Sequence, residues 1–376
     1  MKSKVVIVAG ARPNFVKVSP VLRAIQDLNP AFEAILVHTG QHYSPELSDV
    51  FFEQLGIRKP DLHLGAGGST HGQQTARILK SFEGWLTSVE VAPAAVIVVG
   101  DVNSTIAAAL AAAKLGIKVI HLEAGLRSFD RSIPEEINRL AADASSDLLL
   151  ASEPDGEVNL AREGVASSRI RYVGNVMIDT LVRHIGQARN LAPTPRTSDQ
   201  PYARVTLHRP SNVDSEQSLT AITDFLLDIS TRLDVIFPVH PRTKGRLDAF
   251  GLGEKLQATS RLTVLPPLGY LENLALMQGA RFVMTDSGGI QEETSWLGVP
   301  CLTLRENTER PSTLTVGTNT LVGRDFTLAR RLTGDIPGGG LQKRFANPRL
   351  GRRSCHSGRP RGRSIPVSFV PIPSRP

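Results

Sequence analysis

The sequence predicts an α/β protein with two doubly wound, Rossmann-like domains and a ligand-binding cleft between them. The chain has 376 residues, which is enough for two domains of ordinary size. Short apolar runs typical of buried strands alternate with longer amphipathic runs typical of helices, and this alternation indicates βαβ units on a parallel sheet. A polar stretch with three prolines, at residues 187–201, separates two such series and is the predicted linker.

The elements follow one another in the order that a doubly wound fold requires. The first series predicts strands at residues 4–9, 34–37, 95–99, 118–122, 148–151 and 170–173, with helices that include 18–28, 73–86 and 105–115. The second series predicts strands at residues 204–207, 235–239, 262–265, 281–285 and 300–304, with helices that include 218–232 and 271–278. We therefore predict an N-terminal domain at 1–186, the linker at 187–201, a C-terminal domain at 202–330 and an atypical segment at 331–376.

The positive charge that gives the chain its net +7 is concentrated at the C-terminal end, from Arg330 onward. From residue 330 onward, ten arginines and Lys343 oppose Asp335 alone, so this stretch carries +10 and the rest of the chain −3. The stretch is rich in glycine and proline, has no helical or strand period, and contains only Phe345 and Phe369 as aromatics. We predict a disordered tail of non-native translation. The alternative is a basic arm for RNA, but such arms usually interleave aromatics, so we expect no nucleic-acid partner.

Several classes of protein are excluded by composition. The two cysteines, Cys301 and Cys355, are too few for a disulfide framework or for a zinc site made of several thiolates. No segment approaches the roughly 18 uncharged residues that a membrane helix needs. The short apolar run at residues 5–9 is followed by Arg12 and Pro13 and lacks the pattern of a signal peptide. We predict a cytoplasmic protein without a membrane partner.

Polar side chains cluster directly after predicted strands, where the carboxyl ends of parallel strands bind ligands. Each has an ordinary structural explanation, such as a helix cap or an ion pair of Glu123 with Arg127, but their joint placement favours a ligand site. These residues are Arg12, Gln41, His42, Asp101, Glu123, His208, His240, Asp286 and Ser287.

Two turns have the features of phosphate-binding sites. Residues 285–293, TDSGGIQEE, pass from a strand through Ser-Gly-Gly into a helix, whose first amides are positively polarised. Residues 10–13, GARP, form a second strand-to-helix turn in which Arg12 can contact phosphate in a bidentate manner. Arg310 can supply further positive charge; its structural explanation is an exposed ion pair with Glu309.

The absence of several known motifs reduces the number of reaction types that the sequence supports. The sequence has no P-loop, no dinucleotide fingerprint after the first strand, no HExxH and no Asp-x-Asp pair, so nicotinamide redox chemistry and metal-assisted transfer lose support. The remaining carboxylates, histidines and phosphate-binding turns suit acid–base chemistry on a phosphorylated or nucleotide-linked substrate.

Ten ordered motifs between about residues 4 and 325 resemble the non-hydrolysing UDP-N-acetylglucosamine 2-epimerases. They are GARP with Lys17 at 10–17, TGQH at 39–42, GD at 100–101, HLEAGLR at 121–127, PEEINR at 134–139, GNV at 174–176, LHR at 207–209, PVHP at 238–241, TDSGGIQEE at 285–293 and TERP at 308–311.

The resemblance implies a glycosyltransferase-B type fold, no cofactor, no metal and a homodimer that supplies cell-surface polysaccharide synthesis. It implies interconversion of UDP-N-acetylglucosamine and UDP-N-acetylmannosamine through elimination of UDP, a 2-acetamidoglucal intermediate and re-addition. The implied acid–base residues are Asp101, Glu123, Glu135 and His208. The implied substrate-binding residues are Arg12, Lys17, Gln41, His42 and Arg139, with His240, Ser287, Gly288, Gly289, Glu293 and Arg310 in the UDP-binding C-terminal domain.

Two departures from the family pattern add to the candidate functions of this chain. Many members carry Glu where this chain has Ser211, so a modified UDP-sugar such as a diacetamido uronic acid is a second candidate substrate. Members also end in a helical segment that the basic tail does not resemble. The same residues are compatible with a hydrolysing epimerase, with a UDP-sugar glycosyltransferase and with an inactive UDP-sugar-binding protein.

Overall fold

In the computed structural model, the described residues are 2–28, 31–40, 45–68, 70–191 and 201–334. They divide into two compact units, of which the first extends to Thr180 and the second begins at Leu181. The division falls inside a helix, Val176–Arg189, six residues before the predicted end of the N-terminal domain. The first residues of the predicted linker are therefore helical, and residues 192–200 lie outside the described part.

The first unit alternates strands and helices from its beginning to its end. Its strands are β1 (Ser3–Ala9), β2 (Phe32–His38), β3 (Leu62–His63), β4 (Ala95–Val99), β5 (Lys118–Ala124), β6 (Leu148–Ala151) and β7 (Ile170–Tyr172). Its helices are α1 (Arg12–Leu28), α2 (Pro45–Leu55), α3 (His71–Ser88), α4 (Asn103–Lys114), α5 (Pro134–Ser145) and α6 (Pro154–Arg162), followed by α7 (Val176–Arg189), which continues into the second unit.

The second unit repeats this alternation. Its strands are β8 (Tyr202–Thr206), β9 (Asp234–Pro238), β10 (Leu262–Leu265), β11 (Phe282–Thr285), β12 (Cys301–Thr303) and β13 (Asn319–Leu321). Its further helices are α8 (Pro210–Val213), α9 (Glu216–Ser230), α10 (Pro241–Ala249), α11 (Gly253–Gln257), α12 (Tyr270–Gly279), α13 (Gly288–Leu297), α14 (Ser312–Thr315) and α15 (Phe326–Gly334). No helix among the described residues is long and apolar enough to cross a membrane.

Each unit contains a sheet whose strands all pair in parallel. The strand order is β3-β2-β1-β4-β5-β6-β7 in the first unit and β10-β9-β8-β11-β12-β13 in the second. The direction of strand addition reverses between β1 and β4 and between β8 and β11, and ligands of doubly wound sheets bind at such reversals. The predicted fold class, with two doubly wound α/β domains, is confirmed. The short edge strands β3 and β13 were not predicted.

Helix α1 begins at Arg12, six residues before its predicted start, although it contains Pro20 in its interior. Proline has no N–H, so the carbonyl of Val16, one turn earlier, lacks its usual helical partner. The buried hydroxyl of Thr180, in α7, donates to that carbonyl at 2.6 Å. This hydrogen bond replaces the missing one and lets the helix continue through the proline.

The last described helix, α15, belongs to the core of the second unit. Ala329 is buried among the core side chains, and Phe326 and Leu332 pack against them. The ring of Phe326 lies 5.3 Å from that of Phe225 in α9. Regular structure therefore extends to Gly334, beyond the predicted domain end at residue 330. The rest of the predicted tail, 335–376, lies outside the described residues.

Candidate active site

The first unit buries an ion pair at the carboxyl ends of its central strands. Lys17, in the second turn of α1, pairs with Glu123, near the end of β5, and their side chains are only 7% and 5% exposed. A β-carbon on Gly100, which follows β4, would lie 3.1 Å from the Lys17 ammonium nitrogen and 3.2 Å from a Glu123 oxygen. Since Gly100 has a φ of 66°, glycine satisfies both the backbone conformation and the close packing.

Glu123 has a strained backbone. Its φ is 74°, in a region that non-glycine residues rarely adopt, and the pairing of β5 with β6 shifts register between Leu122 and Ala124. A bulge of this kind redirects a side chain, and strain of roughly 1–3 kcal/mol concentrates at functional sites. The alternative structural explanation, an ion pair of Glu123 with Arg127, is not what the structure shows, because Arg127 pairs with Asp143 and Glu163.

Asp101 is held by an arginine that two carboxylates share. Arg139, on α5, is buried and donates to Asp101 at 2.5 Å and to Glu136 at 2.7 Å. The Glu136 carboxylate also accepts from the amide of Ser128 at 3.0 Å and from the amide of Phe129 at 3.0 Å. Asp101 remains 28% exposed, so it is oriented but accessible. Arg139, predicted to bind substrate, has its guanidinium engaged by these two carboxylates.

Glu135 lies beside Glu136 in the first turn of α5, where the helix dipole favours a carboxylate. Unlike Glu136, Glu135 is only half-buried. The first unit thus places Lys17, Asp101, Glu123 and Arg139 at the ends of β4 and β5 or in the helices beside them, with Glu135 on the same helix as Arg139.

The turn between β1 and α1 is closed by Asn14, which was not predicted. Its side-chain oxygen accepts from the amides of Gly10 and Ala11 at 3.2 and 3.1 Å, and its amide nitrogen donates to Val99 at 3.0 Å. Arg12 begins α1 in this turn. The predicted Gln41 and His42 lie outside the described residues.

In the second unit, His208 is held by a buried aspartate. Nδ1 of His208 lies 3.0 Å from Asp286, whose carboxylate also accepts from the amides of His208 and Arg209 and from the side chain of Asn212 at 2.9–3.1 Å. Burial alone would raise the pKa of Asp286, but His208 and these hydrogen bonds lower it to about 2. Because the His208 side chain is 37% exposed, Nε2 can reach a ligand while Nδ1 is held. Asp286 was noted after its strand but not included among the site residues.

His240 lies close to His208 on the neighbouring strand. It is the N-cap of α10, and its Nδ1 accepts from the amide of Arg242 at 3.2 Å. The two imidazole rings are 5.5 Å apart, centroid to centroid. The structure therefore brings together the predicted His208 and His240 at the carboxyl ends of β8 and β9.

The Gly-Gly turn leads into α13 as predicted. Ser287 is the N-cap, Gly288 and Gly289 form the first helical positions, and the first turn contains no acidic residue. A β-carbon on Gly288 would meet the carboxylate of Glu309 and lie 3.3 Å from Nε of Arg310. Glycine is thus required here by packing, and it leaves the first amides of the helix uncovered by a side chain of its own.

Arg310 is buried rather than exposed. Its principal partner is Glu292 of α13, and Nε lies 3.9 Å from Glu309, which itself accepts from Arg305 at 2.7 Å. The expected ion pair with Glu309 is present at 3.9 Å, but it is buried, so only the expected exposure is wrong. Arg310 fixes the loop after β12 against the helix that begins with the Gly-Gly turn.

Glu293 lies deep in the second unit, on the second turn of α13. It is 5% exposed, and Arg204 and Tyr270 are its polar neighbours. Burial raises the pKa of Glu293 to about 7, with Arg204 and Tyr270 limiting the rise. The same burial lowers the pKa of Arg204 to about 10. Arg204 donates to Asn273 at 2.7 Å.

Among the described residues, no group of three or more His, Cys, Asp or Glu side chains is arranged to hold a metal ion. The carboxylates at the strand ends are instead paired with basic side chains or backbone amides: Glu123 with Lys17, Asp101 with Arg139, and Asp286 with His208 and the amides of His208 and Arg209.

Comparison with known proteins gives a consistent result. The family model described as UDP-N-acetylglucosamine 2-epimerase matches residues 24–328. The UDP-N-acetylglucosamine 2-epimerase of Methanococcus maripaludis is 42% identical over 329 residues, which cover 86% of this chain and 88% of that protein. The UDP-2,3-diacetamido-2,3-dideoxy-D-glucuronate 2-epimerase of Pseudomonas aeruginosa is also 42% identical, over 85% of this chain and 88% of that protein.

A solved structure shows that the similarity holds for the fold as well as for the sequence. The crystal structure of the Methanocaldococcus jannaschii UDP-GlcNAc 2-epimerase in complex with UDP-GlcNAc and UDP matches with a TM-score of 0.83 and 38% identity. The match covers 93% of this chain and 98% of that one. The glycosyltransferase-B type of fold and the resemblance drawn from the motifs are both confirmed. The chain belongs to the UDP-N-acetylglucosamine 2-epimerase family.

Proposed function

We propose that this protein interconverts UDP-N-acetylglucosamine and UDP-N-acetylmannosamine by elimination and re-addition of UDP. The observation that carries the proposal is the Lys17–Glu123 pair on a strained bulge, at the reversal of the first sheet, in a chain of this family. A buried carboxylate held at a fixed angle suits proton transfer at carbon, which needs an accurately placed base.

The reaction requires two proton transfers and one departing diphosphate. In the elimination, a base takes the proton from carbon 2 of the sugar while the bond from carbon 1 to the UDP oxygen breaks, which leaves 2-acetamidoglucal and UDP. In the addition, UDP oxygen attacks carbon 1 and carbon 2 is protonated on the opposite face. We propose Asp101, Glu123, Glu135 and His208 as the groups that transfer these protons.

The second unit offers the features that a nucleoside diphosphate needs. Ser287, Gly288 and Gly289 present helix amides that stabilise negative charge, and Glu293 is proposed to accept from the ribose hydroxyls. Charge on UDP grows as the carbon–oxygen bond breaks, so donors aimed at the diphosphate accelerate the elimination. We propose Lys17 and Arg12 as cationic partners of the leaving group, His240 and Arg310 as further UDP contacts, and Gln41, His42 and Arg139 as substrate-binding residues.

We also propose that the protein works in the cytoplasm, as a homodimer, on a UDP-sugar used for cell-surface polysaccharide. The relatives' names and the nucleotide ligands of the M. jannaschii structure support the substrate class. Size-exclusion chromatography with light scattering tests the dimer: a mass of twice 40.6 kDa is expected, and a monomer would contradict it.

Proton NMR with UDP-N-acetylglucosamine in deuterated water tests the reaction. The expected result is a manno product with deuterium at carbon 2. Free sugar would indicate hydrolysis. Turnover only after a sugar acceptor is added would indicate a transferase, and binding without turnover in either case would indicate a binding protein. Asp101→Asn, Glu123→Gln, Glu135→Gln and His208→Asn are each expected to lower turnover about 100-fold or more and to retain UDP binding. Near-native turnover in any variant removes that residue from the mechanism.

A second candidate substrate has a specific observation in its favour. Ser211 stands where the resemblance led us to expect glutamate, and its backbone carbonyl accepts from Arg324 at 2.6 Å. The diacetamido-glucuronate epimerase is as similar in sequence as the acetylglucosamine epimerases. The same NMR experiment with UDP-2,3-diacetamido-2,3-dideoxy-glucuronate decides between them through the ratio of kcat/KM values.

A further inference from the structure

His121 is a buried side chain of β5 that the proposed reaction leaves unused. Its ring is fully buried, with Nδ1 2.6 Å from Oδ1 of Asp143 and Nε2 2.8 Å from the carbonyl oxygen of Gly100. A carbonyl and a carboxylate can only accept, so both ring nitrogens must donate. A neutral imidazole has a single N–H and would leave one of these contacts unmade. The two contacts therefore require the imidazolium.

The electrostatic surroundings agree with this geometry. Burial by itself would lower the pKa of His121, but Asp143, the Gly100 carbonyl and Glu123 together raise it above its ordinary value. Asp143 is in turn paired with Arg127 at 2.7 Å, and Arg127 also donates to Glu163. The charged groups around the ring are thus Asp143 of α5, Arg127 in the loop after β5, Glu163 directly after α6, and Glu123 of β5 itself.

His121 and Asp143 hold both segments that carry the proposed acid–base carboxylates. On one side, Nε2 donates to the carbonyl of Gly100, the residue before Asp101, while the Gly100 amide donates to Leu122 at 3.0 Å. On the other side, Asp143 accepts from the amide of Gly125 at 3.1 Å. His121 and Gly125 each lie two residues from the strained Glu123.

We propose that His121, as an imidazolium paired with Asp143, is a positioning residue that fixes the turn of Asp101 and the bulge of Glu123 relative to each other. This inference rests on the proposed function for the roles of Asp101 and Glu123. The charged ring, itself on β5, bonds at the same time to the Gly100 carbonyl after β4 and to Asp143 of α5, which in turn holds the Gly125 amide after β5. Loss of the charge breaks one of the two bonds and releases one carboxylate segment.

The charge state is tested without any measurement of activity. Long-range ¹H–¹⁵N NMR of the full chain, labelled in its nine histidines, resolves the protonation of each ring, and His121→Asn identifies the signal by its loss. At pH 8 the expected His121 signal is an imidazolium in the wild type and a neutral ring in Asp143→Asn. A neutral His121 in the wild type at pH 8 overturns the proposal.

The positioning role is tested by the fraction of the bound intermediate that escapes as 2-acetamidoglucal and UDP instead of completing the epimerisation. We expect His121→Asn and Asp143→Asn to lower kcat at least about tenfold, to leave KM within about threefold, and to release at least about tenfold more 2-acetamidoglucal and UDP per epimerisation. Simple destabilisation lowers the active fraction but leaves this ratio unchanged. The matched control is Asp234→Asn, which removes a buried carboxylate that Arg261 contacts at 2.9 Å in the second unit; its kcat and ratio stay as in the wild type.

The possible outcomes distinguish failure of the positioning role of His121 from failure of the proposed epimerase function. A wild-type ratio of released glucal to product in both variants overturns the positioning role, even if kcat falls. A wild-type protein that does not epimerise either UDP-sugar contradicts the proposed function, and the NMR measurement then decides the charge state of His121 by itself.

Discussion

Glu135 and Glu136 are consecutive residues in the first turn of α5, yet Glu136 is buried and Glu135 is only half-buried. Glu136 accepts from Ser128, Phe129 and Arg139, whereas Glu135 is half-buried. Two neighbouring carboxylates therefore have different tasks, one structural and one proposed to be chemical.

This contrast gives the first prediction. Glu135→Gln is expected to lower kcat about 100-fold with little change in Tm, because glutamine keeps the size and polarity of this half-buried side chain but cannot transfer the proton. Glu136→Gln is expected to lower the free energy of unfolding by about 2 kcal/mol, because it leaves the buried Arg139 with Asp101 as its one remaining carboxylate partner among those described and weakens the bonds from Ser128 and Phe129. Steady-state kinetics and thermal unfolding of both variants check the assignment, and equal effects on Tm would contradict it.

The second prediction concerns Asp286. Its carboxylate has a pKa of about 2 in the folded protein against 3.8 ordinarily, so it stabilises the fold above about pH 4 and loses that contribution as the pH falls toward 2. The contribution is about 2 kcal/mol. Asp286→Asn is expected to be less stable at pH 7, to show a weaker loss of stability between pH 4 and 2, and to lower kcat by misorienting His208. Circular dichroism across this pH range provides the measurement. A variant as stable as the wild type at pH 7 would count against the hydrogen bonds described for Asp286.

The third prediction concerns Glu293, for which stability is expected to change with pH in the direction opposite to that for Asp286. In the folded protein the Glu293 carboxyl keeps its proton up to about pH 7, whereas in the unfolded chain it loses the proton near pH 4.5. The free energy of unfolding therefore falls as the pH rises between these two values. The total loss is about 3 kcal/mol. Glu293→Gln is expected to flatten this dependence.

The two tryptophans allow this to be measured in the second unit alone. In a Trp85→Phe background, Trp296 of α13 is the single remaining tryptophan, and its fluorescence during urea unfolding reports on the helix that carries Glu293. An unchanged pH dependence in Glu293→Gln would show that another group titrates in this range.

The fourth prediction concerns metal and cofactor removal. Activity is expected to survive dialysis and EDTA without added NAD, because acid–base side chains alone accomplish the elimination and addition. Restoration of lost activity by a divalent cation or NAD would contradict the mechanism.

The strand cores could be predicted because burial on both faces of the sheet leaves near-continuous apolar runs, as in β4, whose residues are all buried. The strand-end residues followed, because they are the first polar side chains after each run. Short edge strands such as Leu62–His63 carry no comparable run. The extension of α1 across Pro20 was missed because proline ordinarily interrupts helices, and its compensation comes from Thr180, far away in sequence.

Within the site, motif order located Glu123 and His208, but their supports come from distant parts of the chain. Lys17 is 106 residues from Glu123, and Asp286 is 78 residues from His208. The positive φ of Glu123 is a further property that its sequence neighbours do not reveal, since glutamate seldom adopts it.

The hydrogen bond from Thr180 to Val16 makes the effect of one residue depend on another. If Pro20 were replaced by alanine, the new N–H would compete for the Val16 carbonyl, and Thr180 would become dispensable. With Pro20 in place, loss of the Thr180 hydroxyl leaves that carbonyl without its donor. The stability effects of substitutions at positions 20 and 180 are therefore expected to be non-additive, with loss of the Thr180 hydroxyl costing about 1 kcal/mol more when position 20 is proline than when it is alanine.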